Sequence, residues 1–283
     1  MPRTSKFRKW LHALNPRVPA CLPTAVATLM AAGFAADADA QTIDRPEGTA
    51  SPTRRIELEY QRFYTATNVI RKGDDGSGTR FEATDYTGSH GNEGRISAFL
   101  PVNGIWKGDE LRFVIAPFQQ SGTATPSTPI LYDGGLFRAG VPLSVLYKFN
   151  TYRITYDTPV FESLREDGWA LRLGATLAVR DAQIKLSQPD IERNFTNWGP
   201  VPLVYFSAAK DIGARWQLLG EFDAFPAPGG GGLFDGSLKA AYAVSPTVAF
   251  TAGLRYQFGG ASDKDFYNFL REWAGVVGVN FSF

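Results

Sequence analysis

The feature that most constrains the fold is an alternation of apolar and polar residues that continues to the last residue of the chain. Between residues 247 and 258, apolar side chains stand at every second position from Val248 to Phe258, with polar or small residues between them. A period of two places successive side chains on opposite faces of a β-strand. The final segment, V-G-V-N-F-S-F, repeats this pattern up to Phe283. We expect this terminal apolar strand to close a barrel, because an unpaired apolar edge promotes aggregation.

The same alternation predicts ten strands, and their connections alternate between short turns and longer loops, as in membrane barrels. Two further segments, residues 80–87 and 134–140, could add strands, so the predicted count is about ten, with eight to twelve possible. No segment after residue 40 is apolar enough for a membrane-spanning helix. The predicted long loops are residues 65–94, 119–143, 183–200 and 259–269. The predicted strands are residues 55–64, 95–102, 110–118, 144–157, 169–182, 201–211, 214–225, 233–244, 247–258 and a last strand ending at Phe283.

The last strand, with Val279, Phe281 and the terminal Phe283, resembles that of bacterial outer-membrane barrels, which ends in alternating hydrophobic residues and an aromatic residue. The resemblance covers residues 55–283 and is specific for the class rather than for an activity. It implies an all-β fold, a transmembrane antiparallel up-and-down β-barrel in the outer membrane of a Gram-negative bacterium. It also implies that these three residues are a signal for the barrel assembly machinery, and that membrane lipid and lipopolysaccharide are partners.

Aromatic residues near both ends of the predicted apolar faces favour the membrane interpretation, since such rings sit at lipid headgroups. A barrel in water would show the same period with its apolar face inward, so alternation alone leaves that alternative open. The predicted inner ring positions are Tyr156, Trp169, Trp216, Tyr242 and Phe283, and the outer ones are Tyr64, Phe222, Phe234, Tyr256, Phe258 and Trp273.

The first forty residues have the pattern of a cleaved signal peptide for the general secretory route. A basic start precedes the uncharged run 24–36, and Ala38-Asp39-Ala40 offers a small-x-small cleavage site. Residues 41–54 are then a short periplasmic segment and residues 55–283 the barrel. The first forty residues hold five basic and two acidic side chains, so the remaining chain has a formal charge of −2 against +1 overall. This charge does not favour nucleic acid as a partner.

If the apolar face contacts lipid, the polar face lines the lumen, and that face is charged. Acidic residues fall mainly on the first, seventh and eighth predicted strands and basic residues on the second to fifth. Opposite charges across a narrow lumen could pair in place of water, or they could form the walls of a slender pore. The Asp223–Asp235 pair flanks one loop and could bind a cation or be neutralised by Arg255. The lumen candidates are Arg112, Arg153, Arg172, Arg180, Glu221, Asp223, Asp235, Lys239 and Arg255.

Candidates for catalysis are scarce. His90 is the only histidine after residue 40, and Asn92 follows it at the same-face spacing where the lipid-hydrolase barrels have a serine. The only cysteine, Cys21, lies in the predicted signal peptide. We therefore expect no metal site, no cofactor and no catalytic residue other than His90 if the protein is an enzyme.

Three functional hypotheses remain open. The first is a non-enzymatic barrel with a side-chain-filled lumen, which acts structurally or through its long loops. The second is a narrow channel for solutes. The third is a lipid-modifying enzyme that uses His90 as a base.

Overall fold

The computed structural model describes residues 53–227 and 231–283. The predicted signal peptide (1–40) and residues 41–52 of the predicted periplasmic segment lie outside the described residues. No helix in these two described ranges is long and apolar enough to cross a membrane.

Fourteen β-strands are formed in the described ranges. Short helical segments at Asp74–Gly76, Thr84–Thr87 (α1) and Glu162–Arg165 connect some of them. The strands are β1 (Arg55–Lys72), β2 (Phe81–Glu82), β3 (His90–Pro101), β4 (Glu110–Ala116), β5 (Gln119–Ala124), β6 (Ile130–Tyr132), β7 (Gly135–Phe137), β8 (Leu143–Val160), β9 (Trp169–Gln188), β10 (Ile191–Asp211), β11 (Trp216–Ala227), β12 (Gly231–Ala243), β13 (Val248–Ser262) and β14 (Phe266–Ser282).

The sheet closes on itself as a ten-stranded antiparallel barrel. Neighbours in the barrel follow chain order through β1, β3, β4 and then β8 to β14, and β14 pairs with β1 over almost its whole length, from Arg55↔Ser282 to Lys72↔Phe266. Strands β4 and β5 both pair with β8 and together occupy one barrel position. The predicted all-β up-and-down barrel with ten strands is confirmed.

The predicted strand 110–118 is interrupted after Ala116. Pro117 follows, and a proline has no N–H to donate to a strand ladder. Phe118 instead donates its N–H to the side-chain Oδ1 of Asn150 at 3.2 Å, and Phe149 donates to the Phe118 carbonyl at 2.8 Å. Pairing with β8 resumes at Gln119.

We call the end of the barrel where β1 begins and β14 ends the lower end, and the opposite end the upper end. The turns at the lower end are short, as predicted. The predicted long loops, at the upper end, are largely strand. The segment 183–200 is a continuous β9–β10 hairpin that turns at residues 189–190, and 259–269 contracts to a turn at 263–265. Strand β1 extends to Lys72 and β3 begins at His90. The predictions for loops 65–94, 183–200 and 259–269 were therefore wrong in extent, because the ladders continue beyond the membrane-like pattern.

Side-chain polarity inverts along the strands, which explains the error. In the lower part of β9, Leu173 and Leu177 face outward and are about half exposed, while Thr176 and Ala178 face the interior. In the upper part, Ile184 and Leu186 are buried inside, and polar residues such as Lys185 face outward. An apolar exterior suits lipid and a polar exterior suits water.

A hydrophobic core fills the upper end of the barrel. The chain between β1 and β3 and the chain between β5 and β8 fold inward and pack against the upper strands. We call this assembly the cap. Its buried residues are Phe63, Ile70, Phe81, Ala83, Phe118, Ile130, Tyr132, Phe137, Leu143, Val145, Tyr147, Ile184, Leu186, Leu270 and Ala274.

Both segments that could have added barrel strands belong to the cap. Residues 80–87 form the two-residue strand β2, which pairs with β1, followed by α1. Residues 134–140 contribute β7, which pairs with β6 in a separate hairpin. Its turn residues, Asp133 and Gly134, both have positive φ (49° and 72°), as a two-residue hairpin turn of type I′ requires.

Candidate functional site

The lumen below the cap contains a network of buried charged side chains. It consists of five cations and five carboxylates within the described residues, and its formal charge is therefore zero. Apart from Glu221, whose side chain is 12% exposed, each side chain is no more than 4% exposed. We call it the lumen network: Glu57, Glu59, Arg95, Arg112, Arg153, Glu221, Asp223, Asp235, Lys239 and Arg255.

Asp235 lies at the centre of the lumen network, because three guanidinium groups from different strands converge on its carboxylate. The nearest nitrogen–oxygen distances are 3.2 Å to Arg95, 2.5 Å to Arg153 and 2.8 Å to Arg255. Its direct cross-strand partner is Asp223, which pairs with Arg153 at 2.7 Å. The two aspartates are therefore neighbours that arginines neutralise.

The remaining members extend the lumen network toward the opposite wall. Lys239 contacts two carboxylates of β1, Glu57 at 2.6 Å and Glu59 at 2.8 Å. Arg112 contacts Glu221 at 2.9 Å, and its guanidinium carbon lies 5.0 Å from the centre of the Tyr205 ring. These contacts join side chains from both sides of the barrel across the lumen.

Two predicted lumen arginines lie outside the lumen network. Arg172, near the lower end of the barrel, forms an ion pair with Asp157 and donates to the Gly108 carbonyl at 2.9 Å. The guanidinium carbon of Arg180 lies 4.6 Å from the centre of the Phe149 ring, just below the cap. The lumen network also contains Glu57, Glu59 and Arg95, which were not among the predicted lumen candidates. The strand alternation nevertheless placed their side chains inward.

Hydrogen bonds anchor the cap above the lumen network. The Tyr132 hydroxyl donates to the Ile184 carbonyl at 3.2 Å, which attaches the β6–β7 hairpin to β9. The Tyr147 hydroxyl donates to Asn268 Oδ1 at 2.9 Å. Ring contacts continue the packing, with the Phe63 and Phe118 centres 5.0 Å apart. The upper end of the lumen is thus filled by ordered side chains.

Burial raises the pKa of Tyr132 far above its ordinary value of 10.0, and the nearby Asp133 carboxylate raises it further. The folded cap therefore keeps Tyr132 protonated at pH values where the unfolded chain loses that proton. Its contribution to stability is complete below about pH 10 and is lost as the pH rises further. We expect the unfolding temperature of the wild type to fall more than that of Tyr132→Phe between about pH 9 and pH 11. Identical pH dependence in the two proteins would contradict this assignment.

A cavity of about 260 Å³ lies below the lumen network, at the end of the barrel where β1 begins and β14 ends. Arg55 and Glu110 form a two-pronged ion pair in its wall, with distances of 3.0 Å and 3.1 Å. Lys239 and Glu221 of the lumen network also line this space. We call it the lower vestibule, because Thr53 and Ser282 of the barrel end contribute to its lining.

His90 lies on the outside of the barrel, at the upper end of β3. Its ring centre is 5.1 Å from that of Tyr64, its direct cross-strand partner. Asn92 shares this outward face, and both residues are exposed. Among residues 53–227 and 231–283, no cluster of three or more His, Cys, Asp or Glu side chains could hold a metal ion.

The residues predicted to form the assembly signal lie on β14, where the barrel closes. Val279 pairs with Leu58 of β1 and Phe250 of β13, and Phe281 pairs with Ile56 and Val248. The N–H of Phe283 donates to the Arg54 carbonyl at 2.8 Å, and its side chain is 67% exposed.

Comparisons with known proteins gave structural similarities alone. No protein-family model matches the chain, and no curated protein matches its sequence. Among solved structures, the Escherichia coli outer membrane protease OmpT is 8% identical, with a TM-score of 0.49 over 86% of this chain and 99% of that one. Neisserial surface protein A is 14% identical, with a TM-score of 0.34 over 81% and 97%.

The attachment invasion locus protein Ail of Yersinia pestis is also similar, with 8% identity and a TM-score of 0.34 over 81% of this chain and all of that one. The first of these three is described as an outer membrane protease and the second as a surface protein. Because these scores lie below 0.5, the assignment of a closed ten-stranded barrel rests on the strand pairing of this chain itself.

Proposed function

We propose that this chain is an integral outer-membrane protein of a Gram-negative bacterium, and that it acts structurally or through its cap rather than as an open pore. The observation that carries the proposal is the filled lumen: a neutral lumen network lies beneath a hydrophobic cap. Burying ions is costly unless each is paired, and here every carboxylate of the network has a cationic partner. An interior filled in this way favours a closed barrel over an open pore that conducts ions or solutes.

The polarity of the barrel wall supports the membrane location. On β12, Leu238 is 64% exposed, whereas its sequence neighbour Lys239 is 3% exposed. On β13, Leu254 is 62% exposed and Arg255 is 2% exposed. A barrel in water would bury the apolar side chains and expose the charged ones, because hydration favours that arrangement. Export through the general secretory route and insertion by the barrel assembly machinery complete this proposal.

The upper surface of the cap is the part of the molecule best placed to contact partners outside the cell. Leu136, at the tip of the β6–β7 hairpin, is 58% exposed. Beside it, Arg138 Nη2 donates to both carboxylate oxygens of Asp190 at 2.9 Å, and this exposed ion pair joins the cap to the β9–β10 turn. We infer that this surface, together with Ile191 and Arg193, is the interaction face.

Passage of small solutes is a second candidate function, which the lower vestibule favours. A solute could enter this space from the end of the barrel where β1 begins and β14 ends. It would then have to displace both the lumen network and the cap. The two candidates therefore differ in whether the folded protein conducts.

Single-channel recording in a planar lipid bilayer tests the proposal. We expect the refolded protein, residues 41–283, to insert without stable current steps, since the cap and the lumen network fill the lumen. Heat-modifiable electrophoretic mobility and β-rich circular dichroism must show that the same sample is folded. Reproducible current steps from this folded sample would overturn the proposal in favour of the channel.

A further inference from the structure

The outer surface of β1 and β3 carries polar residues on an otherwise apolar wall. Arg62 and Asn92 are direct cross-strand partners that both face outward, and Arg62 Nη1 donates to Asn92 Oδ1 at 3.3 Å. Both side chains are exposed. Above them lies His90, two residues from Asn92 on the same face of β3. We call this surface the outer polar patch: Arg62, His90 and Asn92.

A belt of aromatic rings fixes the height of the outer polar patch. On neighbouring strands, the ring centres of Phe206 and Phe222 are 5.5 Å apart, those of Phe222 and Phe234 are 6.0 Å apart, and those of Phe234 and Tyr256 are 6.0 Å apart. The Tyr256 and Trp273 centres are 4.4 Å apart.

Tyr64 continues the belt, because it pairs with Trp273 on one side and with His90 on the other. Aromatic belts of this kind lie at the boundary between hydrocarbon and headgroups. His90 is therefore at that boundary. Arg62 lies two residues below Tyr64 on β1, on the hydrocarbon side of the belt.

A lipid-facing arginine at this depth needs an anionic partner. Placing a guanidinium against lipid is unfavourable, although long side chains reach upward to the headgroups. In the part of the chain that the structure describes, the hydrogen bond of Arg62 goes to the neutral Asn92 and no carboxylate pairs with it. The guanidinium thus keeps donors available for a group outside the protein.

The surroundings of Arg62 leave room for such a group. Its cross-strand partner on β14 is Gly275, and Gly94 follows Asn92 two residues along β3. A side chain added at either glycine would meet no atom within 4 Å. On the far side of Trp273 a second outward-facing cation, Arg271, lies above the belt, near the ring of Phe258 at 5.9 Å. The wall therefore has open space beside Arg62, and Arg271 adds a second outward-facing cation above the belt.

We propose that the outer polar patch binds a phosphate group of lipopolysaccharide in the outer leaflet, with the acyl chains lying over the glycines and Arg271 contributing to a second anionic group. This inference rests on the outer-membrane location proposed above. Arginine is suited to the role because its guanidinium donates two parallel hydrogen bonds to phosphate oxygens. His90 and Asn92 add donors on the same face.

Binding of purified lipopolysaccharide to the detergent-refolded full mature protein tests the site. We expect Arg62→Ala to weaken binding roughly tenfold, the effect of losing one charge-assisted hydrogen bond, and Arg62→Ala/Arg271→Ala to weaken it further. Arg215→Ala is the matched control, because Arg215 is exposed in the turn before β11 at the opposite end of the barrel. Its affinity should equal that of the wild type. Enzymatically dephosphorylated lipid A should bind to the wild type more weakly than intact lipid A does, by at least the factor that Arg62→Ala loses.

Three results would overturn the assignment. Unchanged affinity of Arg62→Ala would show that the outer polar patch is not the site, and equal binding of dephosphorylated lipid A would show that phosphate is not recognised. Equal competition by phosphatidylglycerol would show a general preference for anionic lipid headgroups. Liposome flotation separates these results from failure of the membrane location: protein that folds but does not float would refute the location itself, and the site with it.

Discussion

Replacing Asp235 with alanine is expected to lower the free energy of unfolding by about 3–5 kcal/mol, the usual range for removing one partner of a buried ion pair. Asp235 is 2% exposed, and Arg95, Arg153 and Arg255 all direct nitrogen atoms toward it. Without the carboxylate, these cations would repel one another in a space that water does not reach. Urea unfolding in detergent micelles, followed by tryptophan fluorescence, measures the loss.

Asp190→Ala is the matched control for this substitution. Asp190 is also paired with an arginine, since Arg138 Nη2 donates to both of its carboxylate oxygens at 2.9 Å, but both side chains are about 60% exposed. Exposed pairs contribute about 0–1 kcal/mol, so Asp190→Ala should unfold nearly as the wild type does. An equal decrease in the free energy of unfolding in the two variants would show that the contribution of the lumen network to stability does not depend on its burial.

Tyr132→Ala is expected to destabilise the cap by about 3–5 kcal/mol, as large-to-small substitutions of buried aromatic residues do. Tyr132 is fully buried, packs edge-on against Phe81, and bonds to the Ile184 carbonyl. Its removal leaves a cavity where the β6–β7 hairpin meets β9. Hydrogen exchange should therefore accelerate in residues 130–137, while the barrel strands below keep their protection.

Two substitutions separate packing from hydrogen bonding in the cap. Tyr132→Phe removes only the hydroxyl and should cost about 1 kcal/mol. Leu136→Ala alters the same hairpin at a side chain that is 58% exposed and should cost less than about 0.5 kcal/mol. If Leu136→Ala accelerates exchange as much as Tyr132→Ala does, the hairpin is not held in place by the buried ring.

The barrel could be predicted from sequence because one pattern, apolar residues outward and polar residues inward, repeats along its strands. Residues such as Phe250 and Leu254 face outward, with Thr251 and Arg255 buried between and beside them. The upper halves of the strands could not be recognised in this way. There water replaces lipid outside, and residues such as Leu186 turn their apolar side chains inward, so the membrane pattern ends while the hydrogen-bonded ladder continues.

The sequence predicted that the charged side chains face the lumen, but not which of them form ion pairs with each other. Alternation placed Arg153 and Asp235 inward, yet they stand on β8 and β12, and their contact at 2.5 Å depends on how the whole barrel closes. Similarly, Arg180 faces an aromatic ring rather than an acid. The Arg62–Asn92 pair was missed because Asn92 fell in the predicted loop 65–94, whereas the structure places it on β3 opposite Arg62.

In the outer-membrane location proposed above, the inversion of polarity along β9 also determines how deeply the molecule is immersed in the bilayer. If the barrel rose, outward leucines such as Leu177 would move from lipid into water, which is unfavourable for apolar surface. If it sank, outward polar residues such as Lys185 would enter hydrocarbon, which is unfavourable for charge. Displacement in either direction therefore meets a restoring force. The proposed location thus predicts that the barrel stays at one level in the bilayer, with the proposed interaction face of the cap at a constant height above the lipid.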